Sequence, residues 1–167
     1  MIDAIKRNVT WGAIPVAAVL AGTVFLAIMA VFTPTVLEVE THLILTYIAS
    51  LVMGSDVLLD TSVSVQIIGA LVHYALSFFF TLIIAIVVHR GGLLIGLIGG
   101  AILGASFYAI NLYTLTGLFN WFFAINSDLL FAAHIAFGIA AGGMYEMLDQ
   151  FDLPADEILE AQTHERR

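Results

Sequence analysis

The chain of 167 residues contains no cysteine. That excludes disulfides, thiolate metal sites and cysteine nucleophiles. It has only five lysines and arginines against 13 aspartates and glutamates, for a net charge of −8. So few cations cannot form the basic face that a nucleic-acid partner requires. Charge of either sign is scarce, at 11% of residues. Proline is rarer still: Pro15 and Pro34 flank the first apolar run, and Pro154 lies in the tail. No proline interrupts the middle of a long apolar run, whereas transporters commonly break their helices there. Catalytic signatures are missing too. We find no serine–histidine–aspartate spacing, no phosphate-binding loop and no His-Glu-x-x-His. The glycines of "RGGLLIGLIGG" do not follow a strand, so they are not a dinucleotide fingerprint.

What fills the chain is apolar: 61% of its residues are hydrophobic. An ordinary soluble domain is about 45–50% apolar, and one this apolar has too few polar groups to cover its surface. A helix needs about 20 apolar residues to cross the hydrocarbon core. Four segments qualify, at about 13–32, 63–88, 93–118 and 129–148. The sequence therefore predicts an all-α membrane protein, a bundle of four transmembrane helices in one domain over residues 1–148. The first run is long for a signal peptide and no Ala-x-Ala site ends it, so it reads as a retained span.

A fifth run, "LILTYIASLVMG" at 43–54, is too short to span. It reads as an interfacial or re-entrant helix in the first outer connection. With four spans and the N-terminus inside, Lys6, Arg7, Arg90, Arg166 and Arg167 all fall on the cytoplasmic side, as the positive-inside rule prefers. Both termini are then cytoplasmic. Residues 33–62 and "NWFFAINSD" are outer connections, "HRGG" is an inner turn, and 149–167 is an acidic cytoplasmic tail. In that tail Asp152 and Pro154 suit the start of a short helix. Trp11, Trp121 and Tyr145 fall near span ends, where rings suit the interface.

The third span carries Gly92, Gly96, Gly100 and Gly104, one glycine every four residues. Small residues gather where membrane helices meet closely, so the ladder predicts glycine-zipper packing against another helix, of this chain or of a second copy. Tyr108 and Asn111 continue its face. The second span carries Gln66, His73, Ser77 and Thr81; the fourth carries His134, Gly138, Gly142 and Glu146. Residues three, four or seven apart share a helix face, and polar groups facing lipid are costly. The three stripes should therefore turn inward. At a rise of about 1.5 Å per residue, His134, Asn111 and His73 lie roughly 8, 10 and 15 Å below the outer boundary. They predict a polar cluster in the outer half, with Gln66 and Tyr108 as further members and Glu146 at the opposite end.

The cluster has several readings. Neutral imidazoles can join helices by hydrogen bonds. His73, Asn111 and His134 can relay protons, since histidine titrates near neutrality. His73 and His134 can also ligate one haem axially. Two histidines and an amide offer too few ligands for a simple metal site. Glu38, Glu40, His42, Asp56 and Asp60 in the outer connection read as a solvated loop.

The order of features resembles a group of small bacterial inner-membrane proteins that includes the YagU-like family. "LVHYALSFFFTLIIAIV" carries the mid-helix His73, "GLIGGAILG" the glycine-rich span, and "FAAHIAFG" the final His134. Some members have a histidine in the third span, where this chain has Asn111. The resemblance implies the architecture and an inner-membrane location, and no reaction. Taken together, the residues favour a non-enzymatic structural or accessory subunit without a cofactor, with the lipid bilayer and a homo-oligomer or larger membrane assembly as partners. A proton or solute pathway and a bis-histidine haem protein are the alternatives.

Overall fold

A computed structural model describes residues 9–151. Its α-helices are α1 (Ala13–Phe32), α2 (His42–Met53), α3 (Val63–Val88), α4 (Leu93–Ala109) and α5 (Asp128–Phe151). Four helical segments are long and apolar enough to cross a membrane: Ala13–Leu37, Val63–Val88, Leu93–Thr114 and Asp128–Asp149. The protein is an all-α four-helix bundle and a multi-pass membrane protein. Its outward faces are Val, Leu, Ile and Phe, such as Leu71 and Leu94, which suit lipid. The tail residues 152–167, with the cap expected at Asp152, lie outside the described residues, as do Lys6 and Arg7.

α2 has 12 residues and so extends only about 18 Å. It does not span. It packs along α3, where Gly69 is so close to α2 that a β-carbon there would lie 2.1 Å from the Leu45 carbonyl oxygen. Gln66 Nε2 donates to Thr46 Oγ1 across the same contact (2.8 Å). α2 thus belongs to the end of the bundle that carries the two longer connections, which we call the cap end. The opposite end carries the 89–92 turn.

That turn is built from backbone geometry. Arg90 and Gly92 both have positive φ, 61° and 78°, and only glycine adopts that region without a steric cost. Nothing lies within 4 Å of a β-carbon at Gly92. Gly92 is therefore not a helix-packing glycine, contrary to its place in the ladder. It turns the chain into α4, and its N–H donates to Glu146 Oε2 (2.7 Å).

The other glycines do meet a helix, and it belongs to the same chain. A β-carbon on Gly100 would sit 2.1 Å from the Gly138 oxygen, and one on Gly104 2.2 Å from the His134 oxygen. Gly96 and Gly142 face each other in the same way. Backbone meets backbone along the α4–α5 seam, so dispersion contact replaces the hydrophobic drive that lipid removes. α1 packs on α5 and on α3, while the consecutive helices α3 and α4 touch only sparsely.

One boundary differs from expectation. The third span was expected to run to residue 118, but α-helical geometry ends at Ala109. A π-helical turn follows at Ile110–Thr114, then a 3-10 turn at Leu115–Gly117. Asn111, Thr114 and Thr116 bring side chains that compete for backbone groups, and Gly117 weakens helix further. The loop at 119–127 contains a 3-10 helix, Asn120–Ile125. Tyr145 is also not an interfacial ring. It is fully buried, and its hydroxyl accepts the Thr10 N–H (3.2 Å).

Candidate functional site

The cap-end half of the bundle is hollow. A cavity of about 440 Å³ lies between α1, α2, α3, the π turn, the 3-10 helix and α5. Its walls are apolar and rich in phenylalanine, and its polar members are His73, Ser77, Asn111 and His134. α2 closes one side with Ile44, Ile48 and Leu51, and the 3-10 helix closes another with Phe122. Trp121 pins that helix to α2 by donating to Ser50 Oγ (2.9 Å).

α3 presents His73 inward because Gly69, His73 and Ser77 share its buried face. His73 Nε2–H donates to the Gly22 carbonyl of α1 (2.9 Å). A carbonyl only accepts, so the proton is on Nε2, and Nδ1 is left as an acceptor. Ser77 Oγ donates to the His73 carbonyl (2.9 Å) and lies where a β-carbon on Gly22 would go. Alongside, Tyr74 shares a hydrogen bond with Thr23 of α1 (3.0 Å).

His134 has the opposite tautomer. Its Nδ1–H donates to the Leu130 carbonyl one turn back (2.8 Å), and Nε2 accepts from Asn111 Nδ2 (3.3 Å). Asn111 reaches it from the π turn. A π turn is wider than an α turn and often marks functional positions. Phe25 of α1 joins the two histidines without bonding to either: its ring centroid is 5.2 Å from His73 and 5.1 Å from His134.

The structure therefore brings together three of the five expected cluster members. His73, Asn111 and His134 line one cavity, although only Asn111 and His134 are hydrogen-bonded. Tyr108 is adjacent, with its ring 5.6 Å from His134, but its hydroxyl donates to Asn126 (2.5 Å). Gln66 is not in the cluster, because α2 supplies its partner. The stripes also do not converge on one axis. α3 turns His73 and Ser77 to α1 and Gln66 to α2, and α5 spends its glycines on α4. Sequence reasoning missed Phe25, which looks like any other apolar residue, and the cavity itself.

Glu146 stands apart, as expected. It is buried at the turn end, holding the first turn of α4 through Gly92, while its Oε1 has no partner among the described residues. In the first connection, His42 Nδ1 meets Glu40 (3.0 Å), and Asp60 accepts the Ser62 N–H ahead of α3 (2.8 Å). That bond holds the Asp60 carboxyl below its ordinary pKa. No group of three or more His, Asp or Glu able to hold a metal is found among the described residues. No family model, curated protein or solved structure matches the chain, so its function rests on the geometry of the site.

Proposed function

We propose that the protein is a non-enzymatic accessory subunit of the bacterial inner membrane, with both termini cytoplasmic. The orientation is supported by the five basic residues, which all fall on one side of a four-span topology. The accessory reading rests on one observation: several polar side chains of the spans are hydrogen-bonded across helix–helix seams. His73 binds the Gly22 carbonyl, Tyr74 binds Thr23, Gln66 binds Thr46, and Asn111 binds His134. These bonds tie α1 to α3, α2 to α3, and the π turn to α5. A proton path instead needs a polar line through the bundle. Here His73 and Ser77 face α1, while Glu146 faces α4.

Paired substitutions at His73 test this reading. Gln can still donate to the Gly22 carbonyl, so His73→Gln should keep thermal stability in detergent within about 0.5 kcal/mol. His73→Leu should lower it by about 1 kcal/mol, since interhelical bonds in membranes contribute about that much. If Gln is as damaging as Leu, or if Gln abolishes a cellular activity of a fully folded protein, imidazole chemistry is required and the accessory reading fails.

A further inference from the structure

The cavity has two features that helix packing does not explain. It has a polar end, and it opens toward lipid. At the polar end, His73 Nδ1 and the Asn111 side-chain oxygen are acceptors without a partner among the described residues, and Asn111 keeps a second amide hydrogen to donate. Toward lipid, Phe79 is 53% exposed and Ile110 45% exposed, and both line the cavity. They flank the sparse contact between α3 and α4. A guest would enter sideways from the bilayer, past apolar side chains.

We infer that this cavity is a binding site for a lipid-soluble aromatic alcohol, of the alkylphenol or quinol class, whose hydroxyl reaches His73 and Asn111. Its volume falls in the range of about 300–1,000 Å³ typical of small-molecule sites, which are mostly apolar with a few convergent polar groups. The walls suit a ring. Phe25 and Phe80 stand at the cavity, and aromatic pairs favour offset or edge-on contact. The polar end suits a hydroxyl, which gives one proton to an acceptor and takes one from the Asn111 amide. A phospholipid acyl chain would fill the walls but leave these groups unpaired in apolar surroundings, which is costly. The π turn is what presents Asn111 to this space. The inference is independent of the accessory reading, because a structural subunit and a catalyst can both hold such a guest.

A photoreactive diazirine analogue of para-hexylphenol tests the site on the full-length protein in phosphatidylethanolamine–phosphatidylglycerol nanodiscs. Labelled residues are mapped by mass spectrometry. Label should concentrate on the walls, at Val72, Leu76 and Ile110. Unlabelled para-hexylphenol should protect at about tenfold lower mole fraction in the lipid than hexylbenzene, which lacks only the hydroxyl; one net hydrogen bond is worth about that factor. Asn111→Leu should erase the preference while labelling continues. Leu76→Trp, which fills the cavity, should abolish labelling in a protein whose unfolding temperature is retained. The inference is overturned if label spreads over lipid-facing Leu71 without protection, or if the two competitors protect equally. It is also overturned if native mass spectrometry shows a bound phospholipid that para-hexylphenol does not displace.

Discussion

α5 takes part in two unlike regions. Through Gly138 and Gly142 it meets α4 with backbone against backbone, leaving no room for a β-carbon. One or two turns toward the cap end, near His134, it borders a cavity of about 440 Å³. Membrane helices gain stability from close packing, so the seam needs no explanation beyond the fold. The hollow does need one. Open volume forfeits contacts, and here it coincides with His73, His134, the π turn and the aromatic walls. Shape and chemistry depart from simple packing at the same place.

The contrast can be broken most sharply at the seam. Gly100→Leu should cost about 3 kcal/mol or more by overpacking against Gly138, read as loss of thermal stability in detergent. A neutral result would mean that α4 and α5 are not in contact. Gly92→Ala comes next, at about 1–2 kcal/mol, because a β-carbon at a φ of 78° is strained although the surrounding space is open. Finding Gly92→Ala as harmful as Gly100→Leu would return Gly92 to the packing ladder. Gly117→Ala has neither close neighbours nor a positive φ and should stay within about 0.5 kcal/mol. The smallest effect concerns pH. Asp60 is depressed by the Ser62 N–H, so its contribution to the start of α3 is complete above the ordinary aspartate pKa and fades as pH falls through the lowered one. Carboxyl NMR should find Asp60 titrating below the ordinary range, and an ordinary value would remove the bond.

Much of this contrast is legible in the sequence. The spans follow from apolar length, and the ladder at Gly96, Gly100 and Gly104 announces a close helix contact. The inward turn of His73 and His134 follows from the cost of polar groups in lipid. The partner of each stripe is not legible, because a period of four names a face and not its neighbour. Gly92 resembles a ladder member because spacing carries no φ. Gln66 joins the stripe of His73 by the same arithmetic, while its partner Thr46 sits on α2, 20 residues away. The hollow is the least legible feature. It depends on how Phe25, Ile48 and Phe122, far apart in sequence, fail to fill one space.

The central claim is that one seam is full and the adjoining half is hollow, and two substitutions compared in a single thermal unfolding measurement test it. Gly104→Ala adds one methyl group, 2.2 Å from the His134 oxygen. Leu76→Phe replaces a branched alkyl group with a larger aromatic ring at the wall of the cavity. The account predicts that Gly104→Ala lowers the unfolding temperature in detergent by about 5 °C, as overpacking of about 2 kcal/mol would. Leu76→Phe should leave that temperature unchanged or raise it. The reverse order, with the methyl tolerated and the ring destabilising, would contradict it.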